Sequence, residues 1–329
     1  MNSLLWFDDA PNGREAVVAS LSKDLGLNLV EMTVKDKYDD WPSLVEKCNE
    51  KSVGLLLVDQ CLADNKIEPQ GGAFKWGSSL VGALRVKYPC VPVIGISAAG
   101  KDIPFESREC FTDFICLEDL TQSKLRIRSI MEGFEKFRKN KKQVTYDLFR
   151  DMLAAPEDVI LLDKVIPCQF FSEPINLNSS IVFKWFRDEF LHFQGVLVDE
   201  STIAAMIGVK IGSFVKNVAP LLKKHLYKGI FAGICERRYW KDNVFTELAD
   251  IVKDDGSFQL SHYVDHMPKC KKSKAICPIC KKPYTDVLAY EEIGTANLMR
   301  YAAHLKCSEE ANVAHPAFYD PIYVLAGGV

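Results

Sequence analysis

The sequence predicts an α/β fold: a five-stranded doubly wound parallel sheet, followed by a mainly helical region and a small zinc-binding module. Three observations carry this. Short apolar runs alternate with helical-period segments over about the first 140 residues, the pattern of successive β–α units. Several runs are apolar at every position, as strands covered on both faces are. Near the end, Cys277-Pro278-Ile279-Cys280 is followed by His304-Leu305-Lys306-Cys307, a spacing that suits a tetrahedral zinc ion.

The first strand is 4–8, and a helical segment at 13–25 leads to a second strand at 27–32. Residues 41–51 read as helix and 54–59 as the third strand, Leu55-Leu56-Leu57-Val58-Asp59. The helix at 77–88 carries Leu80, Val81 and Leu84 at helical spacing. Strand four is 91–97, a short helix follows near 104–109, and 111–117 is strand five. The last helix of this part, roughly 121–139, repeats Leu125, Ile127, Ile130, Phe134 and Phe137. The basic run Arg138-Lys139-Asn140-Lys141-Lys142 reads as a solvated helix end and linker. It divides a first domain, 1–140, from an interaction domain, 141–262, and the zinc module, 263–329.

Three strands end in small polar residues: Asp8-Asp9, Asp59 and Ser97-Ala98. In open α/β sheets ligands gather outside the carboxyl ends of the strands, which puts Asp8, Asp9, Asp59 and Ser97 around one crevice. Clustered carboxylates suit a hard divalent cation with oxygen ligands.

Residues 1–140 resemble the receiver domain of bacterial two-component signalling, a flavodoxin-like fold, over about 135 residues. Asp8-Asp9 resembles the acidic pair after the first strand and Asp59 the phosphorylated aspartate. Ser97-Ala98 matches the hydroxyl and small residue after strand four, and 77–85 with Tyr88-Pro89 resembles the third helix and its exit turn. The resemblance implies Mg²⁺ held by Asp8, Asp9, Asp59 and the backbone carbonyl of Cys61. It implies a phosphoryl group taken by Asp59 from a sensor histidine kinase or phosphotransfer protein, with Ser97 bonding the new oxygens. One departure stands out: the family's lysine should follow Asp113-Phe114-Ile115-Cys116, but position 117 is Leu. Lys101, in the loop after Ser97, is a candidate substitute. Residues 66–72 read as an insertion after Asp59.

The middle region reads as helices at 146–153, 157–163, 179–192, 202–207, 211–227 and 238–253. Residues 199–225 have helix-turn-helix character, with Ala204, Gly208 and Val209 where such a turn needs small and apolar residues. Ile211-Gly212-Ser213-Phe214-Val215 is apolar for a helix that would read base edges, so two packed core helices are the favoured reading. In the zinc module Cys277, Cys280, His304 and Cys307 are the ligands, with Cys270 and His266 as spare candidates, and 319–326 reads as a final strand. The spacing resembles half of a LIM-type or treble-clef module, and a closed Cys₃His set implies a structural role. Lys269, Lys271, Lys272, Lys274, Lys281 and Lys282 surround it. A solvated surface or an acidic partner is favoured there over nucleic acid.

A net charge of -3 neither requires nor excludes nucleic acid. The start, Met1-Asn2-Ser3-Leu4, lacks the basic region of a signal peptide, and no apolar run approaches the roughly 20 residues of a membrane span. The expectation is a cytoplasmic protein with no membrane partner, whose other cysteines are buried free thiols. No nucleophile–base signature marks the second half as an enzyme. The reading that results is a phosphorelay signalling protein acting through a downstream protein effector. Atypical receivers of this kind resemble phosphorelay components that include those of antiphage defence. A DNA-binding response regulator and a metal-dependent phosphohydrolase using Asp9 and Asp59 are the alternatives.

Overall fold

The five apolar runs form one parallel sheet in a computed structural model of the chain. It describes residues 2–9, 13–32, 41–48, 52–62, 76–98, 105–139, 145–157, 159, 165–167, 170, 179–191, 195–252, 263–266, 269–277, 279–283, 288–292, 300–304 and 307. The chain divides into two compact units, one of residues 1–148 and 169–184, the other of 149–168 and 185–329. Among the described residues no helix is long and apolar enough to cross a membrane.

In the first unit the strands are β1 (Ser3–Phe7), β2 (Asn28–Met32), β3 (Val53–Asp59), β4 (Val93–Ser97) and β5 (Asp113–Cys116). All pair in parallel, in the order β2-β1-β3-β4-β5. Strands β1 and β4 are buried at every position, as the unbroken apolar runs require. Side chains alternate between the two faces of a strand. On one face Leu5, Phe7, Leu56 and Val58 join Trp41 and Val45 of α2 (Trp41–Lys47) and Leu80, Val81 and Leu84 of α3 (Gly77–Lys87). The helices α1 (Glu15–Leu25) and α5 (Lys124–Lys139) pack on each other, and α5 also meets β3. The short helix α4 (Phe105–Glu109) precedes β5 and meets it. The long helix begins at Lys124 rather than near 121, and a 3-10 turn, Leu117–Asp119, separates it from β5.

The second unit departs further from the sequence reading. The first unit also takes the start of α6 (Tyr146–Leu153) and nearly all of α7 (Ser179–Trp185), after which, in the second unit, residues Phe186–Phe190 wind as a π-helix. Its rings enter an aromatic cluster, with Phe186 against Phe231 at 5.0 Å and Phe190 against Trp185 at 5.0 Å. The short strand β6 (Leu197–Asp199) then leads directly into α8 (Glu200–Met206). Gly208 turns the chain at φ 71 into α9 (Ile211–Asn217). The expected helix at 211–227 therefore ends ten residues early. A 3-10 turn, Lys223–His225, follows, and Leu226 bridges Tyr239. The expected helix at 238–253 begins as strand β7 (Arg238–Trp240), antiparallel to β6, and only then becomes α10 (Lys241–Val252). A buried apolar core joins Ile203, Ile207, Phe214, Val218, Val244 and Leu248 with Tyr263 and Val264 of α11 (Tyr263–His266). The last elements are the antiparallel pair β8 (Leu288–Glu292) and β9 (Arg300–His304). The expected strand at 319–326 lies outside the described residues, as does most of the expected helix at 157–163.

Candidate phosphoryl and metal sites

The strand order reverses between β1 and β3, since β2 lies on one side of β1 and the later strands lie on the other. That switch point is where an open α/β sheet leaves a crevice. The chain places Asp8 just past the end of β1, and Asp59 ends β3. Carboxylate oxygens of Asp8, Asp9 and Asp59 lie within 4.8 Å of one another. Asp8 is 0% exposed and Asp59 2%, while Asp9 is half-buried. Ser97 ends β4 and is buried beside them in sequence register, with Asp59 opposite Ile96. The structure brings together the three carboxylates expected at the strand ends, Asp8, Asp9 and Asp59.

One member of the site was not foreseen. Arg14, at the start of α1, donates through Nη1 to Asp8 Oδ2 at 2.9 Å and to Asp59 Oδ2 at 2.5 Å. It bridges two buried carboxylates that would otherwise repel each other. Burial pushes the Asp59 carboxyl up to about 6, against the downward pull of Arg14 and with added repulsion from Asp8 and Asp9. Burial penalises the Arg14 guanidinium, but Asp59 and Asp8 outweigh it and hold its pKa above the ordinary value. In sequence Arg14 follows Pro11-Asn12-Gly13, with nothing to separate it from a surface arginine.

The backbone around Asp59 is tightly specified. Gly77 N donates to Gln60 O at 2.8 Å, and a Cβ on Gly77 would lie 2.2 Å from Asp59 O. Only glycine lets α3 begin this close to the end of β3. Cys61 bridges Trp76 and is exposed. Leu117 follows β5 at the lysine position, half-buried, and Lys101 lies outside the described residues, as does the insertion at 66–72.

The second cluster belongs to the other unit. The ligand atoms of Cys277, Cys280, His304 and Cys307 lie within 4.8 Å of one another. His304 Nδ1 faces Cys280 Sγ at 3.3 Å and Cys307 Sγ at 3.9 Å, while Nε2 meets Pro283 O at 3.1 Å. A carbonyl on the far nitrogen fixes the tautomer that leaves Nδ1 free to ligate. The knuckle is closed by Lys281 N to Cys277 O at 3.0 Å and Cys277 N to Lys282 O at 2.8 Å, with Lys281 at φ 61. Burial pushes the Cys277 thiol up, but backbone hydrogen bonds from Cys280, His304 and Ile279 bring it down to about 6. Burial, hydrogen bonding to Cys280 and the charge at Cys277 push Cys307 up to about 11. Three sulfurs and one imidazole converging on a point form a donor set able to hold a metal such as zinc. The cluster packs on Ala205 and Met206 of α8.

Two expectations about cysteines are corrected. Cys270 is no spare ligand: it is 1% exposed in the apolar core and accepts from Ser213 Oγ at 3.7 Å. His266 is exposed. Among the described residues the cysteines outside the cluster form no disulfide and, Cys270 apart, are not buried, since Cys61 and Cys110 are exposed and Cys48, Cys90, Cys116 and Cys235 are half-buried. They sit where the chain enters or leaves apolar elements, so an apolar neighbourhood in sequence did not mean burial.

Sheet order and the acidic cluster together define a five-stranded parallel α/β module, followed by a helical region with a Cys/His cluster. No family model matches the chain, and no curated protein matches it by sequence. Among solved structures it is similar to an uncharacterized protein from Neptuniibacter caesariensis, at 16% identity and a TM-score of 0.29, covering 44% of this chain and 96% of that one. It is similar also to a putative two-component system response regulator/GGDEF domain protein, at 15% identity and a TM-score of 0.28, covering 47% of this chain and 57% of that one.

Proposed function

We propose that residues 1–140 form a receiver module that accepts or senses a phosphoryl group at Asp59, and that the C-terminal half delivers the output through macromolecular contacts. The observation that carries this reading is the convergence of Asp8, Asp9 and Asp59 at the switch point, with Arg14 bridging Asp8 and Asp59. An Asp59 oxygen attacks phosphorus as the bond to the donor's imidazole nitrogen or leaving oxygen breaks, giving an acyl phosphate. Mg²⁺ held by Asp8, Asp9 and Asp59 would neutralise charge spread over the phosphoryl oxygens. The Ser97 hydroxyl would donate to one of those oxygens.

Arg14 fills the gap left by Leu117. In the resting site its guanidinium is the counter-ion of Asp8 and Asp59. Phosphorylation turns one Asp59 carboxylate oxygen into the bridging oxygen of the acyl phosphate and adds phosphoryl oxygens, better acceptors for the same fork. Arg14 thereby couples the state of Asp59 to the first turn of α1. Arg14 and Mg²⁺ compete for the same oxygens, so Arg14→Ala binds Mg²⁺ about tenfold tighter or more, by loss of a nearby positive charge. A sensor histidine kinase or phosphotransfer protein is the donor, and the module turns over once rather than catalytically.

The test is incubation with Mg²⁺ and acetyl phosphate, read by intact mass. One phosphoryl adduct on the native chain, absent in Asp59→Asn, supports the reading. An absence of adduct together with an absence of Mg²⁺ and beryllofluoride binding sinks it. Steady release of phosphate without an adduct would instead indicate a phosphohydrolase.

A further inference from the structure

We infer that the second unit carries a contact surface for duplex DNA, formed by the exposed face of α9 and the lysine loop 269–274. This rests on residues remote in sequence from the acidic crevice and does not depend on the phosphoryl reading. The two helices α8 and α9 are unequal. α8 is buried from Thr202 to Met206, whereas α9 buries only Phe214 and exposes Lys210, Ile211, Gly212, Val215 and Lys216 around it. Between them, Gly208 N bonds Ala205 O at 2.9 Å and Val209 N bonds Ala204 O at 2.7 Å, a left-handed turn that sets a second helix across the first. Strands β6 and β7 and the Leu226 bridge flank the pair. This is the arrangement that offers a second helix to the major groove.

The fold also gathers charge that is scattered in the sequence. Val209 bridges Lys274, Lys210 N donates to Ser273 O at 2.8 Å, and Ala275 N donates to Gly208 O at 2.8 Å. The loop 269–274 is thereby fastened along the helix-turn-helix turn. Lys210 at the start of α9 is thereby next to the loop that carries Lys269, Lys271, Lys272 and Lys274, and Lys216 lies on α9 itself, all six exposed. Asp265 answers Lys274 at 2.9 Å. In a chain of net charge -3 this is a local concentration of cations. The lysines suit phosphates on either side of a groove, a contact that needs no base-specific side chain and is read through its salt dependence.

The test titrates the full, zinc-loaded protein into a labelled random-sequence duplex of about 30 base pairs, by fluorescence anisotropy over about 50–200 mM salt. Four or five phosphate contacts give a log–log salt slope of about −4. Lys271→Glu with Lys272→Glu, and separately Lys210→Glu with Lys216→Glu, each weaken binding by about tenfold or more at low salt, while Lys23→Glu in the first unit does not. Thermal unfolding checks that each variant is folded. No binding at the lowest salt overturns the proposal. So does equal weakening by Lys23→Glu, or polyglutamate of matched charge competing as well as duplex, which would mark an acidic-protein surface.

Discussion

Asp59 carries opposing demands. As the proposed phosphoryl acceptor it must ionise, yet at 2% exposure, facing Asp8 and Asp9, its charged form is disfavoured, and among the described residues Arg14 answers it. Its pKa rises from 3.8 to about 6. For a carboxyl raised on folding, the contribution to stability is intact below 3.8 and is lost as pH rises through about 6, because the unfolded chain releases the proton first. The metal-free protein should therefore gain about 1–3 kcal/mol at pH 8 from Asp59→Asn. That gain should disappear below about pH 4. Urea unfolding of both proteins across this window checks it; a gain constant with pH would mean that packing, not ionisation, is responsible. Removing Arg14 leaves two buried carboxylates uncompensated, so Arg14→Ala should destabilise the metal-free protein by about 3 kcal/mol at neutral pH, with Mg²⁺ restoring part of the loss. The carboxylates of this site were readable from sequence, because each closes a buried apolar run. Arg14 was not, because its role comes from where α1 starts relative to β3.

Elements are fixed by single close approaches as much as by their apolar faces. Gly77 opens α3 against the carbonyl of Asp59, and a methyl there would overlap Asp59 O at 2.2 Å and Val58 Cγ1 at 2.9 Å. Neither neighbour can swing aside, since one is backbone and the other lies on a buried strand. Gly77→Ala should cost about 2 kcal/mol or more and displace Asp59, so that Mg²⁺-dependent phosphorylation falls by more than the stability loss explains. In the other unit Asp199 serves two elements. Its Oδ1 accepts Thr202 N at 2.7 Å to cap α8, and its Oδ2 lies 3.5 Å from Arg238 Nη1, both side chains 1% exposed, on paired strands. Asp199→Asn keeps a capping oxygen and removes the charge, so most of a loss of about 3 kcal/mol would report the buried pair. A loss under about 1 kcal/mol, read by chemical denaturation, would assign Asp199 to the cap alone. This pairing explains why 238–253 misleads as a sequence. Arg238-Tyr239-Trp240 joins an amphipathic helical run with no break in pattern, and it becomes a strand because β6 and Leu226 offer partners on both sides. Strands of three residues carry too little periodicity to be read alone.

At the scale of the whole molecule, the first half was legible because a parallel sheet announces itself in continuous apolar runs. The second half was not, because its architecture comes from contacts between distant segments. The CxxC and HxxC motifs gave the Cys/His cluster, but not where it sits: on Ala205 and Met206 of α8, next to the stretch 273–275 that lines the turn before α9. That placement makes the cluster a clamp for the second unit rather than a separate appendage. Four converging donors could hold a metal such as zinc, and because Cys307 is pushed up to about 11 while Cys277 is brought down to about 6, loading would release thiol protons and strengthen as pH rises. Metal analysis should find about one zinc per chain held by this Cys₃His set, and Cys277→Ser with Cys280→Ser should release it. Chelation should lower the unfolding temperature of the second unit by several degrees and raise hydrogen exchange at Lys210, Ser273 and Ala275, because strand-like bonds there lose their anchor. Exchange in β1, β3 and β4 should not change. If chelation instead loosened only residues 277–307 and left Lys210 protected, the apolar core around Phe214 would be holding α9 and the lysine loop without help from the metal.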